Sequence, residues 1–309
     1  YGDHRDLHLS IRRQRQMCIR DRLYILGAGT PTPTESRFGS AYVADIDGEK
    51  IMFDCGPAAT HKLVKSGLFP TEIDNLFFTH HHFDHDIDYP CFLLCRWDQS
   101  IGKENTLNVF GPTLTEKLTE EIYGEEGAFS HDWKARVNHP LSQKVYVNRG
   151  GTLPRTPPKA NARDITPGTV RVSKKWEVVS GVAEHVQPYL DSLAYRLETS
   201  KNKSIVFTGD TQPCKSVVNL AQNADYLVCM CWDDQEAMNE NGEFYGQCGT
   251  EGAAQMAQDA NVKNLVLVHM GPNISKSENI VSANEKIGKI YSGNIIFSEE
   301  IKSIDLWSK

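Results

Sequence analysis

A short apolar run ends in a dense group of titratable side chains, and this feature constrains the fold more than any other. Residues 76–90 read LFFTHHHFDHDIDYP, with four histidines and three aspartates between positions 80 and 88. The apolar run is typical of a short buried strand. In an extended segment alternate residues point the same way, so His80 and His82 project together while His81 points elsewhere. The sequence therefore predicts a rigid strand that delivers several polar groups to one place.

Neutral imidazoles and carboxylates together are ligands for a borderline cation such as Zn²⁺. Asp84 and His85 follow His82 as the chain turns toward a helical stretch, and both residue types fit such a site. Three further ligand types stand at the ends of later apolar runs: His185 in SGVAEHVQP, Asp210 in SIVFTGDT and His269 in NLVLVHMGP. Open α/β sheets place their sites at the carboxyl ends of strands. A shared metal site is therefore expected.

Short apolar runs alternate with helical stretches from Leu23 onward. The early runs include a hairpin, SAYVADIDGEKIMFDCG around the turn IDGE, whereas later runs alternate with helices such as CKSVVNLAQNA and GTEGAAQMAQDA. A final helix is expected near residues 279–290. This order predicts an α/β protein in which two sheets pack face to face with helices outside.

Two segments differ in composition from the rest. Residues 1–22 contain HLSIRRQRQMCIRDR, which has no period that would bury one face, and we predict a disordered or non-native leader. A basic arm for RNA or a membrane is the alternative. Residues 23–309 are then one domain.

Within this domain, residues 133–176 hold ten Lys or Arg and one acid, and the stretch RGGTLPRTPPK predicts an irregular loop. We interpret residues 133–176 as a basic Gly/Pro-rich insertion, either a solvated surface loop or a cationic arm for an anionic substrate or nucleic acid.

Overall composition narrows the class of protein. The eight cysteines are scattered without a CxxC pair, which favours reduced thiols in a cytoplasmic protein over a disulfide framework. No stretch approaches the roughly 18 apolar residues of a membrane span, so no membrane partner is expected. The formal net charge of −7 argues against bulk affinity for nucleic acid but leaves room for a local basic surface.

These motifs resemble the metallo-β-lactamase fold superfamily, whose HxHxDH motif matches His80, His82, Asp84 and His85. The resemblance implies a four-layer αβ/βα sandwich and a dinuclear metal-dependent hydrolase. It implies that His80, His82 and His185 hold one metal, that Asp84, His85 and His269 hold the second, and that Asp210 bridges both. Two Zn²⁺ per chain are expected, although Mn²⁺ and Fe use the same ligand types. Asp54 in MFDCG matches a family aspartate and is expected to orient a ligand from behind.

Within the superfamily the sequence is similar to the ribonuclease Z branch, through LGAGTPTPT, EHVQPYLDSLAYRLE, FTGDT and NADYLV. Three positions depart from that branch: Met230 stands where it has Glu, Cys248 where it has a supporting His, and Asn273 where it has a phosphate-binding Arg. Only 24 residues separate His185 and Asp210, so the usual tRNA-gripping arm is missing. The resemblance also leads us to expect a homodimer.

The leading hypothesis is hydrolysis of a small or medium anionic ester, a phosphodiester or sulfate ester, by a metal-bridging hydroxide. Asp84 and Asp210 would be the catalytic carboxylates. Position near strand ends makes His81, Asp191, Tyr195 and Asp233, with Asp234, candidates for substrate contact.

Three alternatives stay open at this point. The same hydroxide would serve a lactonase or β-lactamase. A nucleic-acid-binding protein with a vestigial site would use the basic segments. A flavodiiron-type oxidoreductase shares the fold, but the sequence shows no flavin domain.

Overall fold

The computed structural model describes residues 21–102 and 105–307, which form two packed sheets with helices outside. The strands are β1 Arg22–Ala28, β2 Ser40–Ile46, β3 Glu49–Phe53, β4 Ile73–Phe77, β5 Leu107–Gly111, β6 Ala160–Asp164, β7 Gly168–Val172, β8 Trp176–Val182, β9 Leu193–Thr199, β10 Ser204–Phe207, β11 Tyr226–Met230, β12 Asn264–Val268, β13 Asn294–Phe297 and β14 Lys302–Asp305. The helices are α1 Ala59–Lys65, α2 Phe83–Asp86, α3 Tyr89–Gln99, α4 Thr115–Tyr123, α5 Ser130–Asn138, α6 Pro140–Asn148, α7 Lys215–Leu220, α8 Gln235–Asn241, α9 Thr250–Asp259 and α10 Ser277–Gly288, with a 3-10 turn at Pro70–Glu72.

Each sheet contains seven strands and changes from antiparallel to parallel pairing across its width. The first has the order β14-β1-β2-β3-β4-β5-β6, and the second the order β13-β12-β11-β10-β9-β8-β7. Strands β3 to β6 run parallel, as do strands β10 to β13. Strand β8 is antiparallel to β9, which is antiparallel to β10, so β8 and β10 point the same way. The carboxyl ends of these strands therefore share one edge of their sheet.

Aromatic rings fill the space between the two sheets. Phe53 and Phe77 of the first sheet meet Tyr195 and Phe207 of the second, and none is more than 1% exposed. The rings of Phe53 and Phe207 stack with their centroids 4.0 Å apart. Two further buried clusters lie on the outer faces of the sheets, beneath the helices. The predicted four-layer αβ/βα sandwich is thus confirmed, because each sheet buries one face on its partner and the other on helices.

The predicted limits of the N-terminal leader need a correction. Arg22, placed in the leader, is the first residue of β1 and pairs with Asp305 at 2.8 Å. Asp21 is buried and accepts hydrogen bonds from the backbone of Asp47 and the indole of Trp307. These contacts tie both positions to the domain. The rest of the leader prediction lies outside the described residues.

The basic segment, residues 133–176, is not an irregular insertion as a whole. It contains most of α5, all of α6, and strands β6 and β7, and it ends on the first residue of β8. Its longest stretch without helix or strand is residues 149–159, the RGGTLPRTPPK stretch, as the sequence predicts. Strands β6 and β7 are the outermost strands of the two sheets, and both are largely exposed. Because neither strand buries a full face, their sequences show no clear apolar alternation and do not predict them as strands.

None of the helices in residues 21–102 and 105–307 has the length and apolar character needed to cross a lipid bilayer.

Candidate metal centre

The polar residues singled out in the sequence follow strands whose carboxyl ends share an edge. Asp54 follows β3, His80 and His82 follow β4, His185 follows β8, Asp210 follows β10 and His269 follows β12. The two sheets are joined at this edge by Leu193, whose backbone N–H donates to the carbonyl of Thr79 at 2.9 Å. Strand direction therefore brings side chains together from five distant parts of the chain.

Four of these side chains form a first group: His80, His82, His185 and Asp210. One ligand atom from each lies within 4.8 Å of the others. His82 Nδ1 is 3.0 Å from His80 Nε2 and 3.2 Å from His185 Nε2. Nitrogen atoms of three imidazoles thus converge on one small volume, as the ligands of a divalent cation do.

Asp84, His85 and His269 form a second group, all at most 2% exposed. His269 Nε2 lies 3.1 Å from Asp84 Oδ2. Asp210 adjoins this group as well, with Oδ1 at 3.4 Å from His85 Nε2 and Oδ2 at 3.2 Å from His269 Nε2. The same Oδ2 lies 3.9 Å from His185 Nε2 in the first group. Asp210 is thus positioned between the two groups.

Two atoms at the centre of this cluster are buried without a hydrogen-bond partner among the described residues, His85 Nε2 and Asp210 Oδ1. Buried polar atoms are almost always paired, because an unpaired one loses its hydration without compensation. A divalent cation between the groups would satisfy both atoms. The donor set, five imidazoles and two carboxylates, suits Zn²⁺ and related ions. The residues present therefore fit the metal centre implied by the fold family.

Asp54 and Thr79 support this cluster from behind. Asp54 Oδ2 lies 2.8 Å from His85 Nδ1 and accepts from Thr79 Oγ1 at 2.9 Å, while Asp54 Oδ1 accepts from the Thr79 backbone N–H at 2.7 Å. The Thr79 hydroxyl also lies 3.1 Å from His80 Nδ1. Such contacts fix the imidazole orientation and leave the opposite nitrogen free for a metal. Asp54 is held with φ at +57°, a conformation uncommon outside glycine.

Burial and charge set the protonation of these groups. Burial, reinforced by the charge of His85, lowers the pKa of His80 well below its usual value and so favours the neutral imidazole. Burial would raise the pKa of Asp210, but His269 and His85 outweigh it and hold that pKa well below the usual range. Burial also disfavours a charge on His85, yet Asp210 and Asp54 outweigh it and raise its pKa well above normal. The ionised carboxylates of Asp210 and Asp54 therefore favour positive charge at the position where a cation would bind.

The sequence model of one family, described as "Beta-lactamase superfamily domain", matches residues 49–270. The chain belongs to the beta-lactamase superfamily. Ribonuclease BN from Enterobacter sp. (strain 638) is 30% identical over 278 residues, which cover 80% of this chain and 88% of that enzyme. Together these matches identify a hydrolase similar to the ribonuclease Z and ribonuclease BN enzymes.

Solved structures of the superfamily share this fold. The metallo-beta-lactamase fold protein YhfI from Bacillus subtilis aligns with a TM-score of 0.68 and 17% identity, covering 92% of this chain and 99% of its own. The short form of human tRNase Z aligns with a TM-score of 0.64 and 19% identity, covering 92% and 98%. At these identities the likeness establishes the fold.

Two of the five substrate-contact candidates do not fit a substrate role. His81 is directed away from the metal ligands and contacts Asp86 Oδ2 at 3.2 Å and Thr115 Oγ1 at 2.8 Å. Tyr195 is fully buried between the sheets, where its hydroxyl donates to the carbonyl of Phe78 at 2.7 Å. The candidacy of Tyr195 is therefore wrong, because its position on β9 directs the ring into the core. His81 is engaged in holding α2 against α4.

The acidic candidates also have partners within the chain. Asp191 accepts from Thr113 Oγ1 at 2.6 Å and is exposed. Asp233 accepts from Asn273 Nδ2 at 3.0 and 3.2 Å. Asp234 begins α8, where it accepts from a backbone N–H and pairs with Lys286 at 2.9 Å. Of these, only Asp191 keeps an exposed side chain that a substrate could reach.

The three departures from the ribonuclease Z branch have structural roles in this superfamily member. Met230 is buried, and its sulfur accepts from the backbone of Thr211 at 2.9 Å. Cys248 is buried beside Cys229, and the hydrogen bond between their thiols, together with burial, raises the pKa of Cys248 well above normal. Asn273 is engaged with Asp233. None of the three side chains offers the charge found in the branch.

Sequence reasoning missed Thr79 and Gly246. Thr79 directly precedes His80, so its place in the motif was a usable signal. Gly246 lies 61 residues after His185, and its carbonyl accepts from His185 Nδ1 at 2.6 Å. No local pattern marks that contact, since a backbone carbonyl can come from any residue type.

Proposed function

We propose that this superfamily member is a dinuclear metal-dependent hydrolase of an anionic ester, a phosphodiester or a sulfate ester. The observation that carries the proposal is the position of Asp210 between two groups of ligand atoms, with Asp210 Oδ1 and His85 Nε2 buried and without a hydrogen bond among the described residues. A single ion would engage only one group. Two groups sharing one carboxylate are the arrangement expected of a two-metal site.

The ligand assignment follows the two groups. His80, His82 and His185 would hold one ion, Asp84, His85 and His269 the other, with Asp210 shared. Zn²⁺ is the preferred ion because imidazole nitrogens dominate the set. Bound there, the ions would polarise the scissile group and activate water for attack.

Neighbouring residues would keep the Asp84 carboxylate ionised and would fix the orientation of the His85 imidazole. Hydrogen bonding to His269 helps to outweigh burial and lowers the pKa of Asp84, so its carboxylate stays ionised. Asp54 would orient His85 through the contact at Nδ1.

Similarity to ribonuclease BN supports a phosphodiester as the ester cleaved. The departures at Met230, Cys248 and Asn273 favour a substrate other than a tRNA 3′ end. A vestigial site in a binding protein is disfavoured, because seven converging side chains serve no binding role of their own.

The seven described cysteines are all free, which supports a cytoplasmic location. The homodimer stays a prediction from the family.

The proposal is tested by counting metal with plasma mass spectrometry on protein purified without added metal. Hydrolysis is measured in parallel on bis-p-nitrophenyl phosphate, p-nitrophenyl sulfate, a lactone and a cephalosporin. About two zinc per chain and a preference for one of the first two substrates are expected. His61→Ala, which removes an exposed histidine of α1, is the matched control and should keep both ions. No metal after reconstitution would refute the dinuclear site, and a preference for the lactone or cephalosporin would refute the ester.

A further inference from the structure

A second recess, which we call the amide cleft, lies beside the metal centre. It has a volume of about 390 Å³ and is formed by the turn after Asp210, helix α8 and the loop that follows it. Its main lining residues are Gln212, Gln235, Asn239, Phe244, Tyr245 and Gln247. Four are carboxamides and two are aromatic, and no lining residue carries a charge. The cleft therefore differs chemically from the metal centre next to it.

The aromatic pair in the cleft presents ring surface to solvent. The ring centroids of Phe244 and Tyr245 are 4.4 Å apart, and the two residues are 39% and 79% exposed. Contiguous exposed apolar surface of this kind often marks a binding site. An aromatic face is also a surface on which a planar heterocycle stacks, whatever the sequence of bases around it.

Three of the four carboxamide side chains in the cleft are held by hydrogen bonds within the chain, whereas the oxygen of the fourth has no such partner among the described residues. Gln212 is fixed, since its oxygen accepts from the Gly246 backbone at 3.0 Å and its nitrogen donates to Glu184 at 2.9 Å. Gln235 Nε2 donates to Asn239 Oδ1 at 3.1 Å, which orients both side chains. Gln247 Oε1 is buried without a hydrogen-bond partner among the described residues. Gln247 also lines the cleft, so rotation of its carboxamide would bring this unpaired acceptor to an N–H donor of a ligand.

The loop of the cleft is anchored to a ligand of the metal centre. Gly246, between Tyr245 and Gln247, accepts from His185 Nδ1 through its carbonyl at 2.6 Å. Its φ is +69°, and a Cβ there would lie 2.2 Å from the His185 carbonyl oxygen, so only glycine fits. A group seated in the cleft is thereby held at a fixed position relative to the metal ligands.

We propose that the amide cleft binds a planar nitrogen heterocycle, such as a nucleobase, carried by the ester that the metal centre cleaves. Carboxamides hydrogen-bond the paired donors and acceptors on base edges, and aromatic rings stack on base faces. A neutral cleft suits an uncharged base, while the metal centre takes the charged ester. The inference rests on the proposed function for the reaction, but base binding itself needs no metal.

The first test is binding of an uncharged nucleoside, which separates the cleft from the metal centre. Saturation-transfer NMR with adenosine and cytidine is run on the full chain, on Tyr245→Ala, on Gln247→Leu and on the control Phe69→Ala. Phe69 is 57% exposed and lies outside the cleft. Base protons should receive saturation from the full chain and the control. Affinity should fall about tenfold in Tyr245→Ala, which loses a base stack, and by up to about tenfold in Gln247→Leu, which loses a hydrogen bond. No binding by the full chain, or equal binding by all four proteins, overturns the proposal.

The second test uses catalysis as a ratio. The kcat/KM of a nucleoside 5′-(p-nitrophenyl) phosphate is divided by that of methyl p-nitrophenyl phosphate. Through KM, this ratio should fall about tenfold in Tyr245→Ala, which loses a base stack, and by up to about tenfold in Gln247→Leu, which loses a hydrogen bond. Thermal melting of each variant identifies one that fails to fold, and the other variant then decides. Nucleoside binding without hydrolysis of either ester would refute the proposed function and keep the cleft. Hydrolysis of both esters with no preference, and no nucleoside binding, would refute the cleft and keep the function.

A base could arrive on a mononucleotide or on RNA. Competition by a nucleoside 5′-monophosphate and by a single-stranded hexaribonucleotide separates these sources. Stronger competition by the hexaribonucleotide identifies RNA, and the reverse identifies a nucleotide ester. Competition by neither counts against a nucleobase in the cleft.

Discussion

The metal centre and the basic segment, residues 133–176, are both rich in charge, yet the molecule uses their charges in different ways. In the metal centre, carboxylates and imidazoles converge from five strand ends and leave His85 Nε2 and Asp210 Oδ1 buried without a hydrogen bond among the described residues. In the basic segment, five of the ten cations pair with carboxylates of the same chain. A site is thus marked by convergent unsatisfied groups rather than by charge density.

Asp98 of helix α3 shows how the basic segment satisfies itself. Arg155, Arg149 and Arg136 reach its carboxylate at 2.9, 3.1 and 3.4 Å. The Arg155 guanidinium also lies 4.1 Å from the centre of the Trp97 ring, within the range of a cation–π contact. These contacts hold residues 149–159 against α3 and give this part of the segment a structural role.

The largest expected effect is that of Asp210→Ala, because this residue adjoins both ligand groups. Bound metal should fall toward zero and kcat/KM by about a thousandfold or more, since metal-ion catalysis contributes several kcal/mol. His82→Ala, which touches one group, should keep about one ion per chain. Plasma mass spectrometry and ester hydrolysis measure both, with Asp259→Ala on α9 as the matched control. Full metal retention by Asp210→Ala would show that the convergent side chains do not form a metal site, and the contrast with the basic segment would then be lost.

Asp54→Asn should have the next largest effect. The amide cannot accept from His85 as a carboxylate does, and loss of such a supporting contact weakens metal binding about 10- to 100-fold. Competition with a chromophoric chelator measures the metal affinity. Unchanged affinity would mean that Asp54 only fills space behind His85.

Asp98→Asn should destabilise the fold by about 2 kcal/mol without changing activity per bound metal. The change leaves the buried Arg155 without its charged partner, a loss reduced because Arg136 and Arg149 are half-exposed. Urea unfolding measures the free energy, and ester hydrolysis measures the activity. A loss of activity at full stability would instead assign the basic segment to the substrate.

The same variant has a defined pH dependence. Burial would raise the pKa of Asp98, but Arg155, aided by Arg136 and Arg149, outweighs it and lowers that pKa below its usual value. Its stabilising contribution is therefore present above the unfolded pKa of about 3.9 and is lost as pH falls through the folded pKa. The stability difference between the original chain and Asp98→Asn should hold from pH 7 to pH 5 and shrink below about pH 4. A difference that grows as pH falls below 4 would contradict this sign.

The smallest effect is expected from the double substitution Arg136→Gln with Arg149→Gln. Exposed ion pairs contribute about 0–1 kcal/mol each, so the melting temperature should change little. Hydrolysis of an anionic ester should stay within about twofold at low and high salt. A large, salt-dependent loss would show that these cations attract substrate, as the cationic-arm hypothesis holds.

The local sequence determined the strands, most helices and the side chains that meet at the metal centre. Alternation in LFFTHHH places His80 and His82 on one side of an extended segment, and each later ligand stands directly after an apolar run. The family resemblance assigned these residues to two metal ions, and that assignment stays a prediction. Such signals are readable because they depend on neighbours within a few positions.

Only the tertiary structure decided which groups are completed by distant partners. Gly246 reaches His185, three arginines gather on Asp98, and the amide cleft forms from a turn, a helix and a loop. Tyr195 was misjudged for the same reason, since alternation along β9 does not say which face meets the other sheet. These contacts arise from how the two sheets and their connections pack, and a packing contact between residues far apart in the chain leaves no periodic trace in the sequence.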